Sequence, residues 1–364
     1  MLLAPRPALL DVPAVPHGSV ADEELVGLGL RRADVLDFSA SLNPLGASPA
    51  VYRALATLDV TRYPDDRAVA LRAALAAQLG LGMDHVLAGN GSAELIWLLA
   101  MAYLCPGRRT LVVSPTFGEY ERACRIAGAG IEFLHTDERR DFQPDAAALC
   151  DTIRRRQPNL TFLCNPNNPT GWLLSPDQLL QLADAHEAGL LVVDEAYLPF
   201  VPNAPDLARE VTGHPLALLR SLTKAHGLAG LRLGYLVAHP EVVTTLERVR
   251  PPWSVNSAAQ IAGLAALQDT KHLERSLTVV HEARRYLLGA LEALRLKVIA
   301  GPANFLLIRV GDARLVRQRL LARGICVRDC TSFGLPGYIR VGIRRVEDCR
   351  RLVEALAGVM ESDG

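Results

Sequence analysis

The sequence predicts an α/β protein with a large domain, built on a mostly parallel sheet, and a smaller α+β domain at the C-terminus. Two observations support this prediction. Short apolar runs alternate with amphipathic segments through the middle of the chain, which favours a parallel sheet with helices on both faces. After the stretch WSVNSAAQ the pattern changes to a long helical run, followed by further short strands. Ligands of such sheets bind at the carboxyl ends of the strands.

The apolar runs define the elements in chain order. Six of them are predicted strands of the large sheet: RTLVVSP (109–115), IEFLHT (131–136), NLTFLCNP (159–166), LLVVDEAY (190–197), LALLRSL (216–222) and LGYLVA (233–238). EYERACRIAGA and QLLQLADAHEAG repeat apolar residues at helical spacing and are predicted helices. FLLIRV, ICVRDC and YIRVGIR are predicted strands of the small domain. The expected division is an N-terminal arm over 1–35, a large domain over 36–265 and a small domain over 266–364.

Composition restricts the class of protein. Of the 364 residues, 50% are hydrophobic and 21% are charged, which is typical of a globular chain. The 39 basic residues balance 39 acidic ones, and a neutral chain argues against a nucleic-acid surface or a polybasic membrane anchor. The seven cysteines are odd in number and form no CxxC pair, so we expect reduced thiols. The apolar start is broken by prolines, so we expect a cytoplasmic protein without a signal peptide.

Polar residues follow three consecutive predicted strands. Asn165, Asn167 and Asn168 follow the first of these strands, Asp194 ends the second, and Lys224 lies just after the third. Each feature alone has a plainer explanation, because Asn and Pro are turn residues and a lone Asp often caps a helix. Their occurrence at three consecutive strand ends of one parallel sheet predicts a shared site.

A fourth stretch, LAGNGSAELIWLLA (87–100), places glycines and small polar residues at the predicted start of a helix. The third glycine of a dinucleotide-binding motif is absent, so the alternatives are a phosphate site and a simply capped helix. Free backbone N–H groups and the helix dipole favour a phosphate at such a position. Ser221, Thr223 and Arg232 are candidate side-chain donors to the same phosphate.

Three motifs, NPNNPTG, DEAY and SLTKAHGLAGLRLGY, resemble the type I pyridoxal phosphate enzymes of the aspartate aminotransferase superfamily, from about residue 36 to the C-terminus. The resemblance implies a seven-stranded, mostly parallel sheet in the large domain. It implies that Lys224 is the Schiff-base lysine and that Asp194 pairs with the pyridinium nitrogen of pyridoxal 5'-phosphate. Asn168 and Tyr197 are expected to hydrogen-bond the phenolic oxygen of the ring, and Phe117 to stack on it.

The same resemblance implies a set of residues that hold the cofactor phosphate: Ser92, Ala93, Ser221, Thr223 and Arg232. Tyr63, in the stretch RYPD, is expected to reach this phosphate from the neighbouring subunit. The functional unit is therefore expected to be a homodimer with shared active sites.

Within the superfamily, four stretches resemble the threonine-phosphate decarboxylases of cobalamin biosynthesis: His17-Gly18, DFSASLNPLG (37–46), LRSLTK (219–224) and PPWSVNSAA (251–259). This resemblance implies decarboxylation of O-phospho-L-threonine to (R)-1-amino-2-propanol O-phosphate. The substrate-binding residues it implies are His17, Ser41, Asn168, Arg328 and Arg340. Which arginine holds the carboxylate and which the phosphate is left open by the sequence.

Two alternatives stay open. One is an aminotransferase that acts on histidinol phosphate or a related amino acid, with 2-oxoglutarate or glutamate as the second substrate. The other is a ligand sensor of a transcription regulator, which needs a basic helix-turn-helix extension. The neutral charge and the early start of the family motifs argue against the regulator.

Overall fold

The structure is a computed structural model that describes residues 3, 4, 6–10, 12–16, 18 and 20–361. Its strands, in chain order, are β1 (Leu36–Asp37), β2 (Val86–Gly89), β3 (Arg109–Ser114), β4 (Gly130–His135), β5 (Leu160–Cys164), β6 (Leu190–Asp194), β7 (Leu216–Ser221), β8 (Gly234–Ala238), β9 (Val298–Ile299), β10 (Phe305–Arg309), β11 (Ile325–Cys326), β12 (Arg328–Asp329) and β13 (Tyr338–Gly342).

The α-helices of the described residues are α1 (Asp22–Gly27), α2 (Pro49–Leu55), α3 (Val69–Leu79), α4 (Gly91–Tyr103), α5 (Glu119–Ala127), α6 (Ala146–Arg156), α7 (Pro176–Asp184), α8 (Pro240–Val249), α9 (Ser257–Gln268), α10 (Thr270–Ala293), α11 (Ala313–Leu321) and α12 (Val346–Met360). None of the helices in this part of the chain has the length and apolar character needed to cross a bilayer.

The large sheet has seven strands within the described residues, in the order β2-β8-β7-β6-β5-β3-β4. Its pairings are parallel from β7 to β4, and β8 runs antiparallel to both of its neighbours. The predicted α/β class with a mostly parallel sheet is confirmed. The strands β5 and β6 are buried along their whole length, which explains their continuous apolar sequence.

The parallel register brings the predicted polar strand ends together. Cys164, the last residue of β5, is level with Asp194, the last residue of β6, and Asp194 is level with Leu219 in β7. Strand β7 ends two residues later at Ser221. The segments that carry Asn168, Asp194 and Lys224 therefore leave the sheet at one edge, as the sequence predicts.

The C-terminal part of the described chain contains an antiparallel sheet of four strands, β12-β13-β10-β9. Strand β1, from near the N-terminus, pairs in parallel with β11. Helices α10 and α12 pack on the four-stranded sheet through a core that includes Leu287, Leu291 and Leu352. The long predicted helical run is divided at Asp269, whose carboxylate accepts the backbone N–H of His272 and so begins α10. The predicted domain boundary at 265/266 falls inside α9, and the division into domains stays a prediction.

Candidate active site

A cavity of about 660 Å³ lies at the carboxyl edge of the large sheet, between that sheet and the C-terminal sheet. Most of the predicted site residues line it: Ser92, Ala93, Phe117, Asn168, Asp194, Tyr197, Ser221, Thr223, Lys224, Arg232, Arg328 and Arg340. The structure thus brings together residues that are up to 248 positions apart in the chain (340 − 92).

Lys224 lies three residues after the end of β7 and lines the cavity. Its backbone carbonyl accepts a hydrogen bond from the N–H of Asn43 at 3.0 Å. Its ammonium nitrogen lies 5.8 Å from the centre of the Tyr197 ring. Burial, together with the positive charges of Arg340 and Arg232, lowers the pKa of Lys224 from 10.5 to about 8. A lysine amine in this range is partly neutral near physiological pH, so it can act as a nucleophile and as a base.

Asp194 ends β6 and is 4% exposed. The hydroxyl of Tyr120 donates a hydrogen bond to its Oδ2 at 2.8 Å, and the backbone N–H of Ala196 donates to Oδ1 at 3.0 Å. Burial raises the pKa of Asp194 above its usual value. These two hydrogen bonds and the charge of Lys224 act in the opposite direction but do not reverse the shift. The arrangement fits a carboxylate that faces a cationic group in a dry site.

The start of α4 and the end of β7 form one end of the cavity. Gly91 has a φ of +77°, and a Cβ at this position would lie 2.8 Å from Nη2 of Arg232. The hydroxyls of Ser221 and Thr223 lie 2.7 Å apart. A helix N-terminus, two hydroxyls and a guanidinium group form a donor set that fits a phosphate.

Arg340 lies on β13 and is 5% exposed. Its Nη1 donates to Oδ1 of Asn168, and its Nη2 donates to the backbone carbonyl of Ser39 at 2.7 Å. Its guanidinium also lies over the ring of Phe305, 5.3 Å from the centre. No carboxylate among the described residues forms an ion pair with Arg340. Its charge therefore remains available to an anion that enters the cavity.

Arg328 lies on β12 directly opposite Arg340 in the antiparallel register. It donates to the backbone carbonyl of Pro16 at 2.8 Å and to the hydroxyl of Ser332 at 2.7 Å. Burial and the charge of Arg340 lower the pKa of Arg328. Two guanidinium groups on adjacent strands give one side of the cavity a concentrated positive charge.

Two predicted site residues are absent from the described lining of the cavity, and a third lies outside the described residues. The side chain of Ser41 is buried and is absent from the described cavity lining, to which the neighbouring Ser39 and Ala40 belong. Tyr63 is 78% exposed and stacks on Trp253 at the surface, outside the described lining of its own cavity. His17 lies outside the described residues. The roles predicted for these three residues stay predictions.

Several residues of the cavity were absent from the sequence prediction. Tyr120, Glu119, Asp37 and Ser39 line it. Tyr120 is the most informative of them, because it contacts Asp194. The available signal was its nearness in the chain to Phe117, which lies two residues before α5 and whose ring it contacts edge to face, with centroids 5.7 Å apart.

Comparison with known proteins identifies relatives along nearly the whole chain. A family model described as aminotransferase class I and II matches residues 33–356. A histidinol-phosphate aminotransferase of Moorella thermoacetica is 36% identical over 364 residues, covering 98% of this chain and 92% of that protein. The structure of histidinol-phosphate aminotransferase from Sinorhizobium meliloti in complex with pyridoxal-5'-phosphate has a TM-score of 0.88 at 22% identity and covers 98% of each chain. That of L-threonine-O-3-phosphate decarboxylase from Porphyromonas gingivalis has a TM-score of 0.79 at 26% identity, covering 89% of this chain and 99% of that chain.

The predicted decarboxylation of O-phospho-L-threonine is wrong in light of these relatives, whose similarity favours the aminotransferase alternative. The structure explains the error. LRSLTK carries the residues predicted to hold the cofactor, which both reactions need, and the stretch 251–259 is absent from the described cavity lining. Ser41 is absent from that lining as well, and His17 is not described. Gly18 and, in the stretch 37–46, Asp37, Ser39, Ala40 and Leu42 do line the cavity, but lining it does not determine which bond of a substrate is broken.

Proposed function

The chain belongs to the class I and II aminotransferase family, and we propose that it transfers the amino group of histidinol phosphate to 2-oxoglutarate. Members of this family are pyridoxal phosphate-dependent enzymes, and the cofactor of this enzyme is pyridoxal 5'-phosphate. The observation that carries the proposal is the opposed pair Arg328 and Arg340 beside Lys224 in one cavity. An aminotransferase binds two substrates in turn, and the phosphate of one and the carboxylate of the other can use the same cations.

Pyridoxal 5'-phosphate supplies an aldehyde that binds amines covalently and a ring that withdraws electrons from the substrate Cα. Lys224 holds this cofactor and then moves the proton at the substrate Cα. Its pKa of about 8 suits an amine that must both accept and return a proton near neutral pH.

Asp194 keeps the ring nitrogen protonated, and Tyr120 fixes the orientation of its carboxylate. Asn168 and Tyr197 hydrogen-bond the phenolic oxygen of the ring. Burial raises the pKa of Tyr197 to about 12, so its hydroxyl stays a donor throughout the physiological range. Phe117 would stack on the ring.

The phosphate of the cofactor is held at the start of α4 by Ser92 and Ala93, by the hydroxyls of Ser221 and Thr223, and by Arg232. At the other end, Arg340 and Arg328 hold the anionic end of the substrate. Arg340 also bonds Asn168, which couples substrate binding to the cofactor oxygen. Ser41 and His17 complete the proposed substrate contacts.

The functional unit is a homodimer in which Tyr63 of each subunit reaches the cofactor phosphate of the other. Several large apolar side chains on the segments around Tyr63 are exposed, which supports this assembly: Tyr52, Val60, Tyr63, Val69 and Trp253. All seven cysteines are free thiols, which supports a cytoplasmic location.

The experiment that tests the function is a steady-state assay of purified holoenzyme with histidinol phosphate and 2-oxoglutarate. Glutamate should form at a rate that depends on both substrates. A matched assay with unphosphorylated histidinol should give at least about tenfold lower kcat/KM, because the contacts to the phosphate are lost. Absence of glutamate from the histidinol phosphate reaction would overturn the proposal.

A further inference from the structure

Two surface segments are joined by hydrogen bonds and an ion pair. We name them the Tyr63 loop (residues 61–68) and the Trp253 turn (residues 250–254). The backbone N–H of Trp253 donates to Oδ1 of Asp66 at 2.6 Å, and Nη2 of Arg250 lies 3.5 Å from Oδ2 of the same carboxylate. Gln260, in α9, donates to the backbone carbonyl of Asp65 at 2.8 Å. The Tyr63 loop is therefore anchored to the Trp253 turn at its polar residues.

The aromatic side chains of these segments stack on each other. The rings of Tyr63 and Trp253 have centroids 4.5 Å apart and an interplanar angle of 23°. Both rings remain open to solvent, Tyr63 at 78% and Trp253 at 46% exposure, although each is apolar enough to be buried in a core. A pair of large rings held face to face at the surface presents a rigid hydroxyl and a rigid apolar edge to whatever covers it.

The backbone of Trp253 is in a conformation that bulky residues rarely adopt. Its φ is +54°, in the left-handed region, where a side chain larger than hydrogen is strained. The N–H bond to Asp66 holds this conformation and aims the indole at Tyr63. Strain of this kind is retained mainly where the surroundings determine it and where it serves a site.

We propose that Trp253 is a positioning residue that holds Tyr63 in the orientation in which its hydroxyl enters the cofactor-phosphate site of a second copy of this chain. This inference rests on the homodimer of the proposed function and extends it to a residue with no role so far. A free tyrosine at 78% exposure samples several rotamers, and fixing it only on dimer assembly costs side-chain entropy. The stack and the Asp66 anchor remove part of that cost beforehand.

The first test measures cofactor affinity by titrating apo dimer with pyridoxal 5'-phosphate and following its absorbance. Trp253→Ala removes the stack, and the dissociation constant should rise about three- to tenfold, the range expected for an aromatic pair. Trp253→Phe keeps a ring at the same place and should stay within about twofold of the wild type. An unchanged dissociation constant for Trp253→Ala overturns the proposal.

The second test separates positioning of the partner's site from local packing. Chains with Trp253→Ala are mixed with Lys224→Ala chains, and the mixture is reduced with borohydride at a limiting cofactor concentration. Only the Trp253→Ala chain retains the lysine that captures the cofactor. In a mixed dimer the Trp253→Ala chain faces an intact Tyr63 loop on its partner. Borohydride labelling of its Lys224 should therefore return to the wild-type level. Labelling equal to that of the Trp253→Ala homodimer contradicts the proposal.

Two variants complete the design. Mixing with the double variant Lys224→Ala/Tyr63→Phe should give no recovery, because the partner then lacks the hydroxyl. Asp66→Ala keeps both rings but removes the hydrogen bond to the N–H of Trp253, so it should also raise the dissociation constant of the cofactor. If Trp253→Ala does not dimerise, the result for Asp66→Ala decides. Cofactor affinity and borohydride labelling are both measured without substrate. A negative result for Trp253 therefore does not count against the proposed amino transfer, and absence of amino transfer does not affect these two measurements.

Discussion

The hydroxyl of Tyr120 donates a 2.8 Å hydrogen bond to Oδ2 of Asp194, and its ring lies in a hydrophobic cluster that packs on the large sheet. Tyr120 is completely buried and stacks on Phe162, with ring centroids 5.2 Å apart. Its position is therefore fixed by packing, and the hydrogen bond transmits that rigidity to the carboxylate. Burial and the Asp194 charge raise the pKa of Tyr120 well above its usual value, so the phenol stays a donor.

The Tyr120→Phe variant is expected to fold and to bind cofactor, since only the hydroxyl is lost. Its kcat should fall about tenfold or more, because a hydrogen bond to a buried carboxylate is removed from the site that stabilises the ring nitrogen. Steady-state kinetics check this result. Tyr103 is absent from the described cavity lining, so Tyr103→Phe is the matched control and should keep the wild-type kcat.

The identity of the cofactor lysine can be read without any substrate. Lys224→Ala should abolish borohydride trapping of pyridoxal phosphate, since it removes the amine that lines the cavity. The exposed Lys271 offers a control, and Lys271→Ala should trap the cofactor fully. Mass spectrometry of the reduced protein measures both variants. A cofactor adduct on Lys224→Ala chains would show that another amine captures the aldehyde.

The lowered pKa of Lys224 gives a pH dependence with a definite sign. The neutral amine captures the cofactor, so the rate at which apo protein binds pyridoxal phosphate should rise about tenfold per pH unit below about 8 and level off above it. Arg340→Gln removes a positive charge that lowers this pKa, so the midpoint should move to higher pH. Arg309→Gln, at an exposed site outside the described lining, should leave the midpoint unchanged. A shift to lower pH in Arg340→Gln contradicts the assignment.

The sequence was sufficient to predict the fold and to predict that polar residues meet at one edge of the large sheet. Six continuous apolar runs became β3 to β8, and residues such as Asp194 and Lys224 met because parallel strands end at one edge. The contact of Tyr120 with Asp194 depends on how α5 packs against the sheet, which local patterns do not encode. The reaction type was predicted wrongly because motifs such as LRSLTK carry residues that are expected to bind the cofactor, whose chemistry many reactions share. The residues proposed to bind the substrate, Arg328 and Arg340, lie far in the chain from these motifs.

Arg328 should determine preference for the phosphorylated substrate. Arg328→Gln is expected to lower kcat/KM for histidinol phosphate about ten- to a hundredfold, because charge-assisted hydrogen bonds to phosphate are lost. The kcat/KM for unphosphorylated histidinol should change little, so the ratio of the two values is the measurement. Arg309→Gln, on the same sheet, is the control. Equal losses for both substrates would assign Arg328 a structural role.

The central claim is amino transfer from histidinol phosphate, and a single half-reaction tests it most directly. Holoenzyme is mixed with histidinol phosphate in the absence of 2-oxoglutarate, and the cofactor spectrum is followed. The holoenzyme should convert completely to the pyridoxamine phosphate spectrum with one equivalent of keto product per subunit, and the original spectrum should return when 2-oxoglutarate is added. A cofactor spectrum that stays in the aldehyde form with histidinol phosphate, while O-phospho-L-threonine releases CO₂, would contradict the account.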